Sequence, residues 1–316
     1  MPTALNLIRH ALAASLVICT SADAQLFRAY LSGSGSDASA CTLPAPCRLL
    51  PAALNAVASG GEIWMLDSAN YNAGTVNIAK SVSILAVPGV VGSLVATGGP
   101  AIEVSTPGLT IALRNLVIAP AVTLPPGTFG VRVNITSGVA STISIEDSVI
   151  AGIPLSGVIA AGAVRLKVAG ATVRQAGNFA FELLDGAEAA ISSTYMLNNG
   201  GGVAAGSSMP GKTTTATVSD SVISGFNYGV TAQADASGAA ARISVTRSTI
   251  ERTSRALESH AIGGGSTEVD VGSSLIVDNE YAWYQYGTNG LILSLGNNQL
   301  SGNTGSFGTK TPMPPM

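Results

Sequence analysis

One short pattern of alternating aliphatic residues recurs eight times along the chain and constrains the fold more than any other feature. Each copy has two aliphatic residues two positions apart, a polar or glycine turn, a small residue and an aliphatic anchor, as in Ile111-Ala-Leu-Arg-Asn-Leu-Val-Ile118. The anchors follow one another at intervals of 23 to 32 residues and are Ile118, Ile150, Val173, Met196, Ile223, Ile250, Ile276 and Leu300. Alternation with period two predicts β-strands rather than helices.

A second turn and a short third strand follow each anchor, as in Asn198-Asn199-Gly200 for the turn and Phe179-Ala-Phe-Glu-Leu183 for the strand. A left-handed solenoid would show a strict six-residue repeat, and an antiparallel sandwich would not keep one inner pattern in register eight times. Three strands in about two dozen residues are typical of a right-handed parallel β-helix, whose coils bury their apolar side by stacking. We therefore predict an all-β, right-handed parallel β-helix of about ten coils over residues 61–303.

The N-terminus has the residue order of a secretory signal peptide. Arg9 and His10 precede an apolar stretch that ends at Cys19, and the small residues Ala22-Asp23-Ala24 follow. Nine apolar residues are too few to cross a bilayer, which needs roughly twenty, so no membrane span is expected. We predict cleavage after Ala24 and a secreted or periplasmic protein.

Two cysteines remain after that cleavage, Cys41 and Cys47. A zinc site would need about four ligands, and no second cysteine pair or nearby histidine supplies them. In an oxidising compartment, a close pair of this kind predicts a disulfide that closes a small loop.

A short helix is expected directly after the disulfide loop. Residues 48–58 carry apolar side chains at helical spacing, with Pro51 in the first turn and Gly60-Gly61 after the end. This helix would cap the open strand edges of the first coil. Residues 25–60 are thus predicted to form an N-terminal segment with a disulfide loop and a capping helix, and residues 304–316 a flexible tail.

The N-terminal segment resembles a known family. Arg28-Ala-Tyr-Leu-Ser-Gly33, the cysteine pair, the small helix, Gly60-Gly-Glu-Ile63 and residues 71–83 are similar to the start of secreted bacterial right-handed parallel β-helix proteins of the pectate-lyase-like superfamily. The resemblance covers about sixty residues. It implies the fold and an extracellular location, but no particular reaction, because that superfamily contains lyases, hydrolases, esterases, adhesins and phage tailspikes.

Charged residues make up only 10% of the chain, and the formal net charge is -3. No basic stripe is present, which disfavours nucleic acid as a partner, and no motif for a cofactor or metal ion is found. Alternation places several charges on the outer face of the first strand of each coil, where we expect ladder ion pairs between neighbouring coils. The pairs are Arg114 with Glu146, Arg165 with Glu188, and Arg242 with Glu268.

The sequence offers only weak catalytic candidates. Glu268 and Asp270 form the one close acidic pair on these outer positions, two residues apart on one strand. His260 is the only histidine after the predicted cleavage site and is expected in a glycine-rich loop. No catalytic residue is therefore assigned from the sequence.

Two features bear on binding. Four aromatic residues, Tyr281, Trp283, Tyr284 and Tyr286, lie within six positions, where they would either stack on sugar rings or close the end of the core. The second strands also direct an apolar stripe outward, which either a loop covers or another chain contacts. Its members are Val117, Val149, Thr172, Tyr195, Val222, Thr249 and Leu275.

The first hypothesis is a secreted noncatalytic β-helix that presents a polar face to a polysaccharide or cell-surface glycan. The alternative is a polysaccharide lyase or glycoside hydrolase with a degenerate site in the loops of residues 205–214 and 233–240. A third hypothesis is a structural or adhesive homo-oligomer joined through the Val117, Val149, Val222 and Leu275 face.

Overall fold

The computed structural model describes residues 25–122 and 127–312. The predicted signal peptide and its cleavage after Ala24 lie outside these residues. One helix, α1, spans Leu50–Ala56. The strands of the first half are β1 (Leu26–Leu31), β2 (Val57–Met65), β3 (Ala69–Asn70), β4 (Val76–Asn77), β5 (Val82–Ala86), β6 (Gly92–Ala96), β7 (Ile102–Val104), β8 (Thr110–Arg114), β9 (Leu116–Pro120), β10 (Val131–Ile135), β11 (Ser141–Glu146), β12 (Val149–Ala151), β13 (Val158–Gly162), β14 (Val164–Ala169) and β15 (Thr172–Arg174).

The remaining strands continue the same order. They are β16 (Phe179–Leu184), β17 (Glu188–Ser192), β18 (Tyr195–Ser207), β19 (Thr213–Ser219), β20 (Val222–Ala234), β21 (Ala240–Thr246), β22 (Thr249–Glu251), β23 (Arg255–Ala261), β24 (Ser266–Gly272), β25 (Leu275–Val277), β26 (Tyr281–Tyr286), β27 (Gly290–Ser294), β28 (Gln299–Ser301), β29 (Gly305–Phe307) and β30 (Thr311–Pro312).

The strands stack as a parallel solenoid of about nine turns. The first strands of the coils form a twelve-stranded sheet, here called sheet 1, which runs from β1 and β2 through β5, β8 and every later first strand to β30. The second and third strands form an eighteen-stranded sheet, described here as a second-strand ladder and a third-strand ladder. In β18 and β20 the second and third strands of one coil are continuous.

The core lies inside the tube and follows the predicted alternation. Ile111 and Leu113 on β8, and the equivalent residues on the next six coils, are buried. The predicted anchors stack on one another in register, and seven of the eight are buried. Leu300 is the exception at 39% exposed, because β28 pairs with β25 on one side only in the described chain.

A single residue turns the chain from the first strand to the second in several coils. Asn115, Asp147 and Asp220 adopt positive φ at this position, with values of 53°, 48° and 52°. Asn and Asp tolerate this left-handed conformation better than other side chains except glycine, as the predicted turn requires.

The register predicted for the last copy of the repeat is wrong by one residue. Ile292 pairs with the buried Val269 and is 0% exposed, and Ser294 pairs with Val271. Leu293 therefore lies on the outer side of sheet 1 instead of the core side. A shift of one residue exchanges the two faces of a strand, and the apolar run Leu291-Ile-Leu-Ser-Leu295 fits either register in sequence.

The N-terminal segment contains the predicted disulfide and a shorter helix. Cys41 and Cys47 are bonded. Helix α1 ends at Ala56 because Val57 is already extended and begins β2, so Gly60 and Gly61 lie inside a strand instead of ending the helix. The predicted range of 48–58 for the helix was therefore too long.

The solenoid also extends beyond residue 303, where we predicted a flexible tail. Gly305–Phe307 pairs with β26, and Thr311–Pro312 pairs with β27. At the other end, Leu26–Leu31 already pairs with β2, so the first strand of sheet 1 precedes the helix.

Candidate functional site

One column of side chains that includes acids, a hydroxyl and aromatic rings runs along the outer face of the third-strand ladder. Parallel strands pair in register, so successive members are about 4.8 Å apart along the solenoid. This central column consists of Asn77, Glu103, Arg132, Ile159, Glu182, Ala204, Thr231, Glu258, Tyr284 and Phe307.

A groove of about 250 Å³ lies over the middle of this column, and we call it the Glu182 groove. Its floor is formed by Ala204 and Gly206 on β18, whose side chains are small or absent. Longer side chains on β16 and β20 stand on either side, because both strands pair with β18. These longer side chains are Glu182, Leu184, Thr231 and Gln233.

A pair of aromatic rings lies at one side of the groove. The rings of Phe179 and Tyr228 stack with centroids 5.8 Å apart and planes inclined by 26°. Gly201 separates them in the ladder, and a Cβ atom there would collide with the Phe179 ring. Glycine at 201 therefore lets two rings that are two strands apart meet above β18.

Two carboxylates line the Glu182 groove. Ser156 donates a hydrogen bond to Oε2 of Glu182 at 2.5 Å. Asp235 follows β20 and is exposed, and Gln233 Nε2 lies 3.4 Å from its Oδ2. Residues 205–208, 233 and 235 line this groove, so part of both segments predicted to carry a degenerate site lies here. Residues 205–207 and 233–234 belong to β18 and β20, however, so the prediction that they form loops is wrong.

A second groove of about 330 Å³ covers the next strands, and we call it the Arg255 groove. Arg255 Nη1 lies 2.6 Å from Oε1 of Glu258, and Thr231 Oγ1 donates to Oε2 of Glu258 at 3.0 Å. The guanidinium also lies 4.0 Å above the ring of Tyr284. Burial lowers the pKa of Arg255, but the charge of Glu258 and the hydrogen bond to it outweigh burial, so the pKa is raised.

His260 lies in this groove on strand β23, so the prediction that it occupies a loop is wrong. Its ring meets the ring of Tyr286 edge to face, with centroids 4.9 Å apart. The alternation of β23 directs it to the same outer face as Glu258, two positions earlier.

The aromatic cluster divides between the core and the surface. Trp283 pairs in register with the buried Leu257 and packs against the core. Tyr284 lies on the central column and stacks on Phe307 at 4.7 Å. Tyr281 and Tyr286 occupy outer positions on either side of it, and Tyr286 is 49% exposed. The interpretation as a core seal thus applies to Trp283, and stacking of the outer rings on sugars stays a prediction.

Glu268 and Asp270 lie on the outer face of sheet 1, away from both grooves. Asp270 Oδ2 accepts a hydrogen bond from Ser244 at 3.1 Å, whereas its buried Oδ1 has no partner among the described residues. Burial, and then the charge of Glu268, raise the pKa of Asp270. The observed register contributes to this burial because it places Leu293 beside Asp270 on the outer face.

Two of the three predicted ladder ion pairs are present. Arg114 and Glu146 approach to 2.8 Å, and Arg165 and Glu188 to 3.4 Å. Arg242 and Glu268 are neighbours in register, but no contact within 4.0 Å joins their charges in the described chain.

The apolar stripe of the second-strand ladder faces outward as predicted. Val117, Val149, Val222 and Leu275 belong to one continuous register and are all partly exposed. Association through this stripe stays a prediction.

Three further observations concern a second cavity, metal ligands and membrane-spanning helices. A wider cavity of about 580 Å³ adjoins the disulfide loop, but the carboxylate in it, Asp37, accepts the backbone N–H groups of Arg48 and Leu49 at the start of α1. Within residues 25–122 and 127–312, no three His, Cys, Asp or Glu side chains are grouped to hold a metal ion. No helix in that part of the chain has the length and apolarity to cross a membrane.

Comparison with known proteins identifies the fold. No family model and no curated protein matches the sequence. Among solved structures, the GH136 lacto-N-biosidase from Eubacterium ramulus matches with a TM-score of 0.55 and 10% identity over 90% of this chain and 67% of its own. Pectate lyase Pel9A matches with a TM-score of 0.54 and 12% identity over 90% of this chain and 78% of its own.

A third structure, XylC in complex with xylose, matches with a TM-score of 0.52 and 9% identity over 82% of this chain and 69% of its own. The chain is a right-handed parallel β-helix. The resemblance of the N-terminal segment to pectate-lyase-like proteins is thereby confirmed for the fold. In this β-helix, the grooves lie on the third strands, and their outer residues were not predicted as a column from the sequence.

Proposed function

We propose that the protein binds a polysaccharide along the central column of the third-strand ladder, through the Glu182 groove and the Arg255 groove. The observation that carries this proposal is the continuity of the column. Ala204, Thr231, Glu258 and Tyr284 are consecutive neighbours in register, so the two grooves follow one another along the solenoid. A linear polymer lying parallel to the solenoid axis would contact both.

The chemistry of the grooves suits a carbohydrate. Sugars present hydroxyl groups that need donors and acceptors, and also C–H faces that pack on aromatic rings. The Glu182 groove offers Thr231, Gln233 and two carboxylates beside the Phe179 and Tyr228 rings. The names of the similar structures, a lacto-N-biosidase, a pectate lyase and a protein bound to xylose, support the same ligand class.

The burial of Glu258 and the bonds to its carboxylate favour binding without cleavage. This carboxylate is the most buried acid of the column, and Arg255 and Thr231 already engage its two oxygens. A general acid or base needs an oxygen that can reach the scissile bond. Glu258 therefore acts in this proposal as a structural anchor that holds Arg255 over Tyr284.

A polysaccharide array, followed by affinity measurements on the retained polymers, tests the proposal. Ala204→Trp would fill the floor of the Glu182 groove, and we expect a loss of affinity of at least about tenfold, equivalent to about 1.4 kcal/mol. Ala190→Trp is the matched control, because Ala190 is exposed on the outer face of sheet 1. Equal affinity of the two variants, or no retention of any polymer by the unaltered protein, would contradict the proposal.

The second candidate function is cleavage of the bound glycan, favoured by the presence of Glu182 and Asp235 in one groove. Glycoside hydrolysis uses two carboxyl groups on either side of the scissile bond. If this candidate is correct, a retained polymer releases reducing ends, and Glu182→Gln and Asp235→Asn each abolish the release but not the retention. Release that survives both substitutions would eliminate this pair.

A further inference from the structure

We infer that the glycan bound in the Glu182 groove is a neutral polysaccharide, without carboxylate groups on its sugars. This inference rests on the proposed binding function and adds the chemical class of the ligand. It follows from the charges of the side chains that line the groove and from the ion pair that already neutralises the neighbouring guanidinium.

The unpaired charge of the Glu182 groove is negative. Glu182 and Asp235 line it, and none of its lining residues in the described chain is Lys or Arg. Asp185 lies nearby, where its carboxylate accepts the backbone N–H groups of Ser208 and Met209 at 2.8 and 3.2 Å. Two carboxylates thus line one narrow groove, and a third lies beside its rim at Ser208.

The guanidinium that follows on the same face does not offset this charge. Arg255 is held by Glu258 at 2.6 Å and covers the ring of Tyr284 at 4.0 Å. Because Glu258 neutralises it, the pair adds no net charge to the groove. A polyuronate, which carries one carboxylate on each sugar, would therefore meet uncompensated repulsion near Glu182 and Asp235.

A neutral sugar meets the opposite situation. Ionised carboxylates only accept hydrogen bonds, and sugar hydroxyls donate them, so each carboxylate forms charge-assisted hydrogen bonds with a neutral ring. The structure contains a protein example of this contact, since the hydroxyl of Ser156 donates to Glu182. The groove therefore selects hydroxyl-rich rings without acid groups.

The test compares acidic polysaccharides with their own carboxyl-reduced forms, which keep the linkages and lose only the charge. Polygalacturonate, alginate and glucuronoxylan form three such pairs, and the neutral xylan and galactan complete the panel. We expect every retained polymer to be neutral. Any carboxyl-reduced form that binds should bind at least about tenfold more tightly at low salt than its acidic parent. The ratio of the affinity for the reduced form to the affinity for its acidic parent should shrink as ionic strength rises, because salt screens the repulsion.

Charge-removing variants assign the effect to the groove. Glu182→Gln with Asp235→Asn should reduce the ratio to about twofold or less, whereas Glu146→Gln with Glu188→Gln, which removes the same charge from sheet 1, should leave it unchanged. Tighter binding of an acidic form than of its reduced form, with or without added calcium, would overturn the inference but leave glycan binding intact. Retention of no polysaccharide at all would instead refute the proposed function.

Discussion

Arg255 Nη1 and Glu258 Oε1 are 2.6 Å apart on the outer face of a strand, yet the Glu258 side chain is only 5% exposed. Thr231 and Tyr284, its neighbours on the central column, enclose this carboxylate together with Arg255. The ion pair lies where the two grooves meet. Its integrity therefore matters both for the stability of the third-strand ladder and for the shape of the proposed binding face.

Removing only one partner of this pair should destabilise the protein. Arg255→Met leaves the buried Glu258 charge unpaired, and we expect a loss of about 2 kcal/mol in the free energy of unfolding, below the roughly 3–5 kcal/mol of a fully buried pair because Arg255 is partly exposed. The double variant, Arg255→Met with Glu258→Leu, should recover most of the lost free energy of unfolding. Urea unfolding of the single and double variants measures both quantities, and a fully additive cycle would show that the pair is not coupled.

Trp283 and Tyr286 should respond differently to truncation. Trp283 occupies the core column, and Trp283→Ala should lower the free energy of unfolding by about 2 kcal/mol, somewhat less than for a fully buried Trp. Tyr286→Ala should leave stability within about 0.5 kcal/mol and weaken glycan retention. Denaturant unfolding and affinity measurements on the same samples distinguish the two roles. A stable Trp283→Ala variant with normal binding would contradict this assignment.

Asp270 and Asp220 should have opposite effects on the pH dependence of stability. The pKa of Asp270 is raised by burial and then by Glu268, so its ionisation costs stability as pH rises through that raised pKa. Asp270→Asn should therefore be more stable than the unaltered protein at pH 7, and the gain should vanish near pH 3.

Asp220 is the matched comparison. The Arg247 guanidinium lowers its pKa through a hydrogen bond, so the pair stabilises the fold above the ordinary pKa of about 3.8 and this contribution is lost as pH falls. Asp220→Asn should be less stable at pH 7, and the difference should shrink as pH falls below about 3.8. Melting temperatures of both variants from pH 3 to 8 provide the measurement, and shifts of the same sign would refute the analysis.

The disulfide should stabilise the N-terminal end. Cys41 and Cys47 enclose a loop with a sequence separation of 6. Loop-closure entropy for so short a loop predicts a loss of about 2 kcal/mol when both cysteines become serine. Urea unfolding of the double variant, beside the unaltered protein with and without reductant, checks this value. Identical midpoints in all samples would mean that the bond contributes nothing to stability.

The sequence predicted the first and second strands well because their spacing is nearly constant. One residue in left-handed conformation marks the turn between them in several coils, so the positions of Ile111, Leu113 and Ile118 predict the inner face of the next six coils. The last coil failed because Leu293 and Leu295 fit the inner pattern as well as Ile292 does. Nothing within that strand distinguishes the two registers.

The candidate site was harder to predict because its members do not share a fixed spacing. Glu182, Thr231 and Glu258 stand in one column although irregular turns precede their strands, and two register shifts interrupt the pairing of β18 with β20. Glu258 was not among the residues predicted from the sequence. The alternation in Arg255-Ala-Leu-Glu-Ser-His260 was the available signal, since it reads as a strand with Glu258 and His260 on one face.

The proposed function requires a glycan to lie on the central column of the third-strand ladder. A crystal structure of the protein with an oligosaccharide derived from a retained polymer tests it most directly. We expect sugar rings above Ala204 and Gly206, within hydrogen-bonding distance of Glu182 or Gln233. Sugar rings bound instead to sheet 1 beside Glu268, or to the Val117 to Leu275 stripe, would contradict it.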